Sequence, residues 1–189
     1  MLCRWQSCLC HYRLKLLLTG KITMSDKTYQ ILFLCTGNSA RSILAEALVT
    51  TMSHGRFQGY SAGSNPGGTV NPFAVEKVRE TGYPLDQLRS KSWDEFARTD
   101  APKMDFIITV CDNAAGEACP IWPGHPASAH WSFEDPAAVN GSVEQKRAAF
   151  DKIFRQIMGR MSIFLALPMD KLEKHAILQE IKKIGDTPV

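Results

Sequence analysis

The stretch that decides the fold spans residues 31–48 and reads ILFLCTGNSARSILAEAL. It begins with an uninterrupted apolar run, residues 31–34, which is typical of a strand buried on both faces. It ends with apolar residues that recur at helical spacing, and a short polar segment, residues 35–42, separates the two patterns. We therefore predict a strand, a tight loop and a helix.

The loop of this unit has the composition of an anion-binding site. After Cys35 its residues are Thr36, Gly37, Asn38, Ser39, Ala40, Arg41 and Ser42. Successive backbone N–H groups in such a loop point inward, and the helix N-terminus adds partial positive charge. We expect the loop to hold a tetrahedral oxyanion against the sulfur of Cys35.

The side chains of the loop indicate how it would act on that anion. Cys35 is the candidate nucleophile, because amide donors and an arginine are expected to lower the pKa of its thiol. Arg41 offers a planar fork that can bind two oxygens of an oxyanion. Ser42 can donate a hydrogen bond to the sulfur, and Asn38 can brace the loop. The alternative, an inert buried cysteine at a strand end, is disfavoured by the Cys-x5-Arg-Ser spacing.

This loop, placed between a strand and a helix, resembles that of the low-molecular-weight protein tyrosine phosphatase superfamily, which includes arsenate reductases on the same scaffold. The rest of the chain alternates strands and helices, which indicates a parallel sheet. We predict strands at 57–63, 105–110 and up to 131, helices at 71–82, 93–97 and 143–167, and a last helix ending at Gly185. Asp170 and Glu173 are the predicted capping box of that last helix.

Together these observations predict an α/β fold with three layers, in which helices cover both faces of a four-stranded parallel sheet. The carboxyl ends of parallel strands meet at one edge, where ligands bind. Cys35 ends the first predicted strand and Cys111 follows the third. We expect both sulfurs at the same edge of the sheet.

The length and net charge of the chain limit the classes of function that it can have. The chain has 189 residues, which is typical of one domain with a sizeable core. Its net charge of +3 is concentrated in residues 1–23, which contain basic side chains and no acid. The remainder has a charge of −1, so we expect no nucleic-acid partner.

The first 23 residues differ from the rest of the chain. Their apolar stretch is short and interrupted by charges, unlike a secretory signal or a membrane-spanning helix. We expect a disordered or artefactual extension over 1–23, with a weak membrane-associating segment as the alternative, and a single domain over 24–189. That domain has three cysteines and no export signal, so we expect the protein to lie in the reducing cytoplasm and not to bind a membrane.

Cys111 and Cys119 allow three interpretations. They can form a redox pair, if the segment between them unwinds or bends enough for a disulfide. They can form a zinc site with His125 and His130, although the cysteine spacing is wider than usual. They can also be inert packing residues.

The segments VCDN around Cys111 and EACP around Cys119 resemble the redox-cysteine region of thioredoxin-coupled arsenate reductases. The resemblance implies that Cys111 attacks an adduct on Cys35, and that Cys119 then closes a disulfide with Cys111. An external thiol system reopens that disulfide, so no bound cofactor is needed. The spacing is one residue longer than in the members compared, which keeps glutaredoxin with glutathione as an alternative to thioredoxin.

The resemblance also places a general acid at Asp135, in the sequence Phe-Glu-Asp-Pro. Expulsion of an oxygen from the anion needs a proton donor. The alternatives are Glu134 as the acid, or an Asp-Pro turn without chemistry. In the phosphatases tyrosines tend to follow this pair, whereas residues 137–139 here are Ala-Ala-Val, which favours a small inorganic anion.

The resulting hypothesis is a cytoplasmic arsenate reductase that reduces arsenate to arsenite by a three-cysteine relay. Its catalytic residues are Cys35, Arg41, Cys111, Cys119 and Asp135. The alternative is a phosphatase that hydrolyses phosphate monoesters through a phosphocysteine. A third hypothesis is a non-catalytic arsenic-binding or zinc-binding module.

Overall fold

The computed structural model describes residues 27–111, 122, 124 and 126–188. Within them, a parallel sheet has the strand order β2-β1-β3-β4. The strands are β1 (Tyr29–Cys35), β2 (Phe57–Gly63), β3 (Phe106–Thr109) and β4 (Ala127–His130). β1 pairs with β2 along its whole length and with β3 on its other side. The predicted parallel α/β sheet is confirmed. The predicted extension over residues 1–23 lies outside the described residues, and the domain boundary stays a prediction.

Helices connect and cover these strands. They are α1 (Arg41–Met52), α2 (Pro72–Thr81), α3 (Asp94–Ala97), α4 (Val143–Leu165) and α5 (Lys174–Asp186), with 3-10 turns at Leu85–Gln87 and Pro136–Ala138. The sequence explains α2 well: the Asn71 side chain caps its start, and Gly82 ends it in the left-handed conformation. Of the helices in the described residues, none is both long enough and apolar enough to span a membrane.

The two faces of the sheet are covered unequally. Ile31 and Phe33 of β1 face the larger core, which α1, α2, α4 and α5 complete. Leu32 and Leu34 point to the opposite face, where Trp93, Phe96 and Met104 belong to a smaller cluster. The alternation follows from the period of two along a strand. It places Cys35 on the same face as Phe33, towards the larger core.

The start of α5 differs from the sequence prediction. The helix begins at Lys174 with Glu173 at its N-cap position, and Glu173 makes no side-chain capping bond. Asp170 lies in a turn before the helix, where the Lys171 N–H donates to the carbonyl of Pro168. The predicted capping box is therefore wrong, because Asp170 lies in the proline turn and the helix begins later, at Lys174.

α4 begins with a capping box that the sequence analysis did not identify. The Ser142 hydroxyl accepts a hydrogen bond from the Gln145 N–H at 3.3 Å, and the Gln145 side chain accepts one from the Ser142 N–H at 2.8 Å. These bonds satisfy N–H groups that no helix can pair internally.

We expect Ser142→Ala to lower the free energy of unfolding by about 1 kcal/mol, because it removes a capping hydroxyl. Ser162→Ala is the matched control in the same helix, since among the described residues the exposed Ser162 hydroxyl donates only to the Met158 carbonyl. That control should change stability by less than about 0.5 kcal/mol. Urea unfolding of both variants tests the prediction, and equal losses would contradict it.

Candidate active site

The loop that follows β1 is held by hydrogen bonds to its carbonyl oxygens. The oxygens of residues 35, 36, 37 and 39 accept N–H bonds from residues 64, 65, 67 and 71, at 2.9 to 3.3 Å. The N–H groups of Ser39, Ala40 and Arg41 donate to no acceptor in the part of the chain that the structure describes. The loop therefore has the backbone donors that bind an oxyanion.

Asn38 fixes the conformation of this loop. It is fully buried, and its φ of 43° lies in the left-handed region that asparagine tolerates. Its side-chain NH₂ donates to the hydroxyls of Ser42 and Ser61, each at 2.9 Å. Its side-chain carbonyl accepts from the Lys91 N–H at 2.8 Å. The side chain thus connects the loop to β2 and to the segment before α3.

Cys35 lies at the centre of this arrangement and is only 3 % exposed. Its Sγ is 2.9 Å from the Ser42 hydroxyl and accepts the Asn38 N–H at 3.2 Å. Burial raises the pKa of the Cys35 thiol, and this effect outweighs the lowering by the bonds from Ser42 and Asn38, while Cys111 raises it further. The expectation of a lowered pKa is therefore wrong for this arrangement.

Arg41 does not offset the effect of this burial. Its Nη1 donates to the Phe133 carbonyl at 3.0 Å, and its Nη2 is 3.2 Å from Asp135 Oδ2. The guanidinium therefore pairs with the Asp135 carboxylate, and it is not among the groups that lower the pKa of Cys35. The contact also shows that the start of α1 and the Asp-Pro segment meet.

The structure separates the two candidate acids. Asp135 contacts Arg41, and its carboxylate also caps the 3-10 turn by accepting the Ala137 N–H at 3.1 Å. Glu134 pairs instead with Lys152, at 2.6 Å on the exposed surface. Asp135, whose side chain is 43 % exposed, is therefore the carboxylate placed beside the loop.

The second cysteine lies at the same edge of the sheet. Cys111 is 2 % exposed, and its Sγ is 3.6 Å from the hydroxyl of Thr36, the residue after Cys35. It is also close enough to Cys35 to affect the pKa of that thiol. The structure thus brings two of the three predicted thiols together, and Cys119 lies outside the described residues.

The zinc hypothesis is only partly covered by the structure. Cys119 and His125 lie outside the described residues, and His130 Nδ1 is 2.8 Å from the Thr109 hydroxyl. Within the described residues, no group of three or more His, Cys, Asp and Glu side chains could hold a metal ion.

A buried ion pair behind the loop was missed by the sequence analysis. Lys91 Nζ lies 3.5 Å from Glu46 Oε2, with side chains 5 % and 6 % exposed. The ammonium also donates to Ser61, and Tyr83 donates to Glu46 at 2.7 Å. Burial lowers the pKa of Lys91 and raises that of Tyr83. A carboxylate between Ala45 and Ala47 on an apolar helix was the one signal that could have revealed this pair.

The comparison with protein families agrees with this geometry. A family model described as low molecular weight phosphotyrosine protein phosphatase matches residues 30–177. The chain belongs to this family. The match to the phosphatase family includes the loop, Cys111 and Asp135, and it ends within α5.

Similar members of the family carry arsenate reductase names. The arsenate reductase of Bacillus licheniformis is 39 % identical over 141 residues, which cover 75 % of this chain and 96 % of that protein. The crystal structure of an arsenate reductase from Archaeoglobus fulgidus is 26 % identical, with a TM-score of 0.52 over 70 % of this chain and 98 % of that one. A thioredoxin-dependent arsenate reductase of Corynebacterium glutamicum shares the fold at 23 % identity and a TM-score of 0.51, over 80 % of this chain and 67 % of that one.

Gly63 is required for the loop to approach β2. A Cβ at this position would collide with the Thr36 carbonyl oxygen and lie 3.0 Å from the Asn38 N. We expect Gly63→Ala to lower the free energy of unfolding by about 1–3 kcal/mol through overpacking. Gly67→Ala is the control, because a Cβ there meets nothing within 4 Å. Similar urea unfolding curves for the two variants would contradict the prediction.

The raised pKa of Cys35 gives a pH prediction. The neutral thiol is favoured in the folded protein, so alkylation of Cys35 should be slow at neutral pH and accelerate above the ordinary pKa of a thiol. Ser42→Ala should shift this profile to higher pH, because it removes the hydroxyl hydrogen bond that lowers the pKa of Cys35 and keeps the backbone one. Ser64→Ala is the control, since its buried hydroxyl has no hydrogen-bond partner among the described residues.

Alkylation with iodoacetamide, followed by mass spectrometry of the Cys35 peptide, measures this profile separately from Cys111. Rapid alkylation at neutral pH with a plateau below the ordinary thiol pKa would contradict the prediction. An unchanged profile in Ser42→Ala would contradict the role of its hydroxyl.

Proposed function

We propose that this protein reduces arsenate to arsenite by a relay of three cysteines. The observation that carries the proposal is the second buried thiol beside the loop, with Cys111 Sγ 3.6 Å from the Thr36 hydroxyl. Hydrolysis through a phosphocysteine needs one thiol only, whereas reduction needs a second thiol to accept the first in a disulfide. The arsenate reductase from Bacillus licheniformis, 39 % identical, supports the same choice.

Arsenate is proposed to bind to the loop of residues 35–42. The backbone N–H groups of Ser39, Ala40 and Arg41 would donate to its oxygens, and the Arg41 fork would bind two of them. In this structure Arg41 bonds the Asp135 carboxylate and the Phe133 carbonyl. Two oxygens of a bound arsenate would replace these two acceptors. This exchange would also free the Asp135 carboxyl beside the bound anion.

In the first chemical step, the Cys35 thiol transfers its proton to the Asp135 carboxylate released from Arg41, and the resulting thiolate attacks arsenic. A sulfur–arsenic bond forms and an arsenic–oxygen bond breaks, and Asp135 donates a proton so that the oxygen leaves as water. Arg41 and the loop amides stabilise the charge that develops on the remaining oxygens. The Ser42 hydroxyl, 2.9 Å from Sγ, stabilises the thiolate before the attack.

In the second step, the Cys111 thiolate attacks the sulfur of Cys35. A disulfide forms, the sulfur–arsenic bond breaks, and its electron pair stays on arsenic, which leaves as arsenite. Cys119 then attacks Cys111, which forms a disulfide between these two and returns the Cys35 thiolate. Two thiols are oxidised for each arsenate reduced, and no bound cofactor takes part.

An external thiol system is proposed to reduce the final disulfide. Thioredoxin and glutaredoxin with glutathione are the two candidates, and the thioredoxin-dependent enzyme of Corynebacterium glutamicum, which shares the fold, favours the first. Thiols that must stay reduced between turnovers suit the cytoplasm, where disulfides are rare. The small side chains of Ala137 and Ala138 beside Asp135 suit a small inorganic anion better than an aryl phosphate.

We expect Cys111→Ser and Cys119→Ser each to abolish repeated turnover of arsenate, because neither variant can complete the relay. Arsenite production is measured with a purified thioredoxin system and, separately, with glutaredoxin and glutathione. Cys8→Ser is the matched control, since residue 8 lies in the N-terminal segment that the relay does not use.

The same variants separate the reductase from the phosphatase hypothesis. Hydrolysis of an aryl phosphate, if the wild-type protein shows it, should survive both substitutions, since it needs only Cys35, Arg41 and Asp135. Wild-type protein that hydrolyses phosphate esters and makes no arsenite with either reductant would contradict the proposal. So would continued arsenite turnover in Cys111→Ser.

A further inference from the structure

The C-terminal end of this chain extends beyond the family match. That match ends at residue 177, whereas α5 continues to Asp186, so most of this helix is an addition to the matched region. The structure packs the added part against the segment that leads from β4 to Asp135. We propose that α5 and Arg160 position the Asp135 loop, residues 131–135, for proton transfer, with Arg160 as a positioning residue. This inference rests on the proposed function, in which Asp135 is the proton donor.

The contact between α5 and the end of β4 is direct. The indole N–H of the fully buried Trp131 donates to the Ile181 carbonyl at 3.0 Å. Gly185 lies so close to β4 that a Cβ there would collide with the His130 carbonyl and lie 2.9 Å from Trp131 Cδ1. The backbone of α5 therefore fixes where the chain leaves β4 towards Asp135.

Arg160 of α4 extends this contact into the loop. Its Nη1 donates to the Ser132 carbonyl at 2.8 Å, and its Nη2 donates to the Thr187 carbonyl at 3.0 Å. Its guanidinium also lies 4.5 Å from the centroid of the Phe133 ring. One side chain thus connects the residue after α5 with the two residues that precede the Glu134-Asp135 pair.

The burial of Arg160 indicates a specific role. It is 5 % exposed, and burial lowers its pKa, with Asp186 opposing the shift. Its Nε is buried without a hydrogen-bond partner among the described residues. A buried charge with an unsatisfied donor is costly, and a packed apolar side chain would serve stability at least as well. Its guanidinium instead bonds the Ser132 and Thr187 carbonyls and so fixes the distance between them.

Phe133 then lies between two arginines. Arg160 lies over its ring, and Arg41 of the anion-binding loop bonds its carbonyl at 3.0 Å. Displacement of α5 or loss of the Arg160 fork would loosen the approach of Asp135, while the bonds that shape residues 35–42 remain. The expected loss is in proton donation, whereas anion binding should not weaken, because a loosened Asp135 competes less for Arg41.

The test is a single turnover of arsenate by the full-length reduced protein without external reductant, measured as the rate of arsenite formation. Arg160→Lys keeps the charge and loses the fork, and Gly185→Ala moves α5 without weakening its helical propensity. Each should lower the rate about tenfold to a hundredfold by misplacing the proton donor. Gly159→Ala, where a Cβ meets nothing within 4 Å, should match the wild type.

The same substitutions are then made with Asp135→Asn. Because Arg160 and Gly185 are proposed to act through Asp135, neither substitution should lower the rate further in the Asp135→Asn background. The effects of the two substitutions in each double variant should therefore be non-additive. The affinity for inorganic phosphate should not weaken in either single variant, because the displaced segment competes with the anion for Arg41. If Arg160→Lys does not fold, as judged by circular dichroism, the Gly185→Ala comparison decides.

The outcomes separate this inference from the proposed function. If Asp135→Asn itself leaves the rate unchanged, the proposed role of Asp135 fails. If Asp135→Asn lowers the rate, but the other variants have no effect or reduce it equally in both backgrounds, the positioning role is overturned. A weakened affinity for phosphate would likewise show that the substitutions act on the anion-binding loop.

Discussion

The site depends on how the backbone after β1 is turned. The carbonyl oxygens of residues 35, 36, 37 and 39 are bonded to the segment that follows β2, and Asn38 fixes the turn from within. That segment can come so close because Gly63 has no side chain. With the carbonyls used in this way, the N–H groups at the start of α1 are available to an anion beside Cys35. The chemistry of the site follows from this constraint.

The charged side chains around the loop are paired so that a bound anion could replace Asp135 as the partner of Arg41. Arg41 is bonded to Asp135 and the Phe133 carbonyl, and Lys91 neutralises Glu46 in the interior. An arsenate entering the loop would compete with Asp135 for Arg41. In the proposed function, arsenate binding would therefore release the Asp135 carboxylate next to the bound anion. Burial raises the pKa of Cys35, which favours the neutral thiol in this arrangement.

Local patterns predicted much of this fold. The apolar run of β1, the proline and asparagine at the start of α2, and Gly82 at its end act over a few residues, so the sequence contains the whole argument. The edge rule for parallel sheets also placed Cys111 beside Cys35 from their positions at strand ends. Asp135 came from the family resemblance, and its contact with Arg41 needed the structure.

The features that sequence reasoning missed depend on distant partners. The Lys91–Glu46 pair joins two elements, and Arg160 joins the Asp135 loop to the residue after α5. The pKa of Cys35 was predicted in the wrong direction because its burial is a property of the folded core. The capping box predicted at Asp170 was wrong because Asp170 lies in a proline turn and the helix begins later, at Lys174. The role of Cys119 and the boundary after residue 23 remain predictions.

The most direct measurement is a crystal structure of the Cys35→Ser variant with arsenate. The account predicts arsenate in the loop of residues 35–42, its oxygens bonded to the N–H groups of Ser39, Ala40 and Arg41. It also predicts that the Arg41 fork has left Asp135 and the Phe133 carbonyl to bind two arsenate oxygens. Arsenate bound elsewhere, or bound in the loop while Arg41 still pairs with Asp135, would contradict the account.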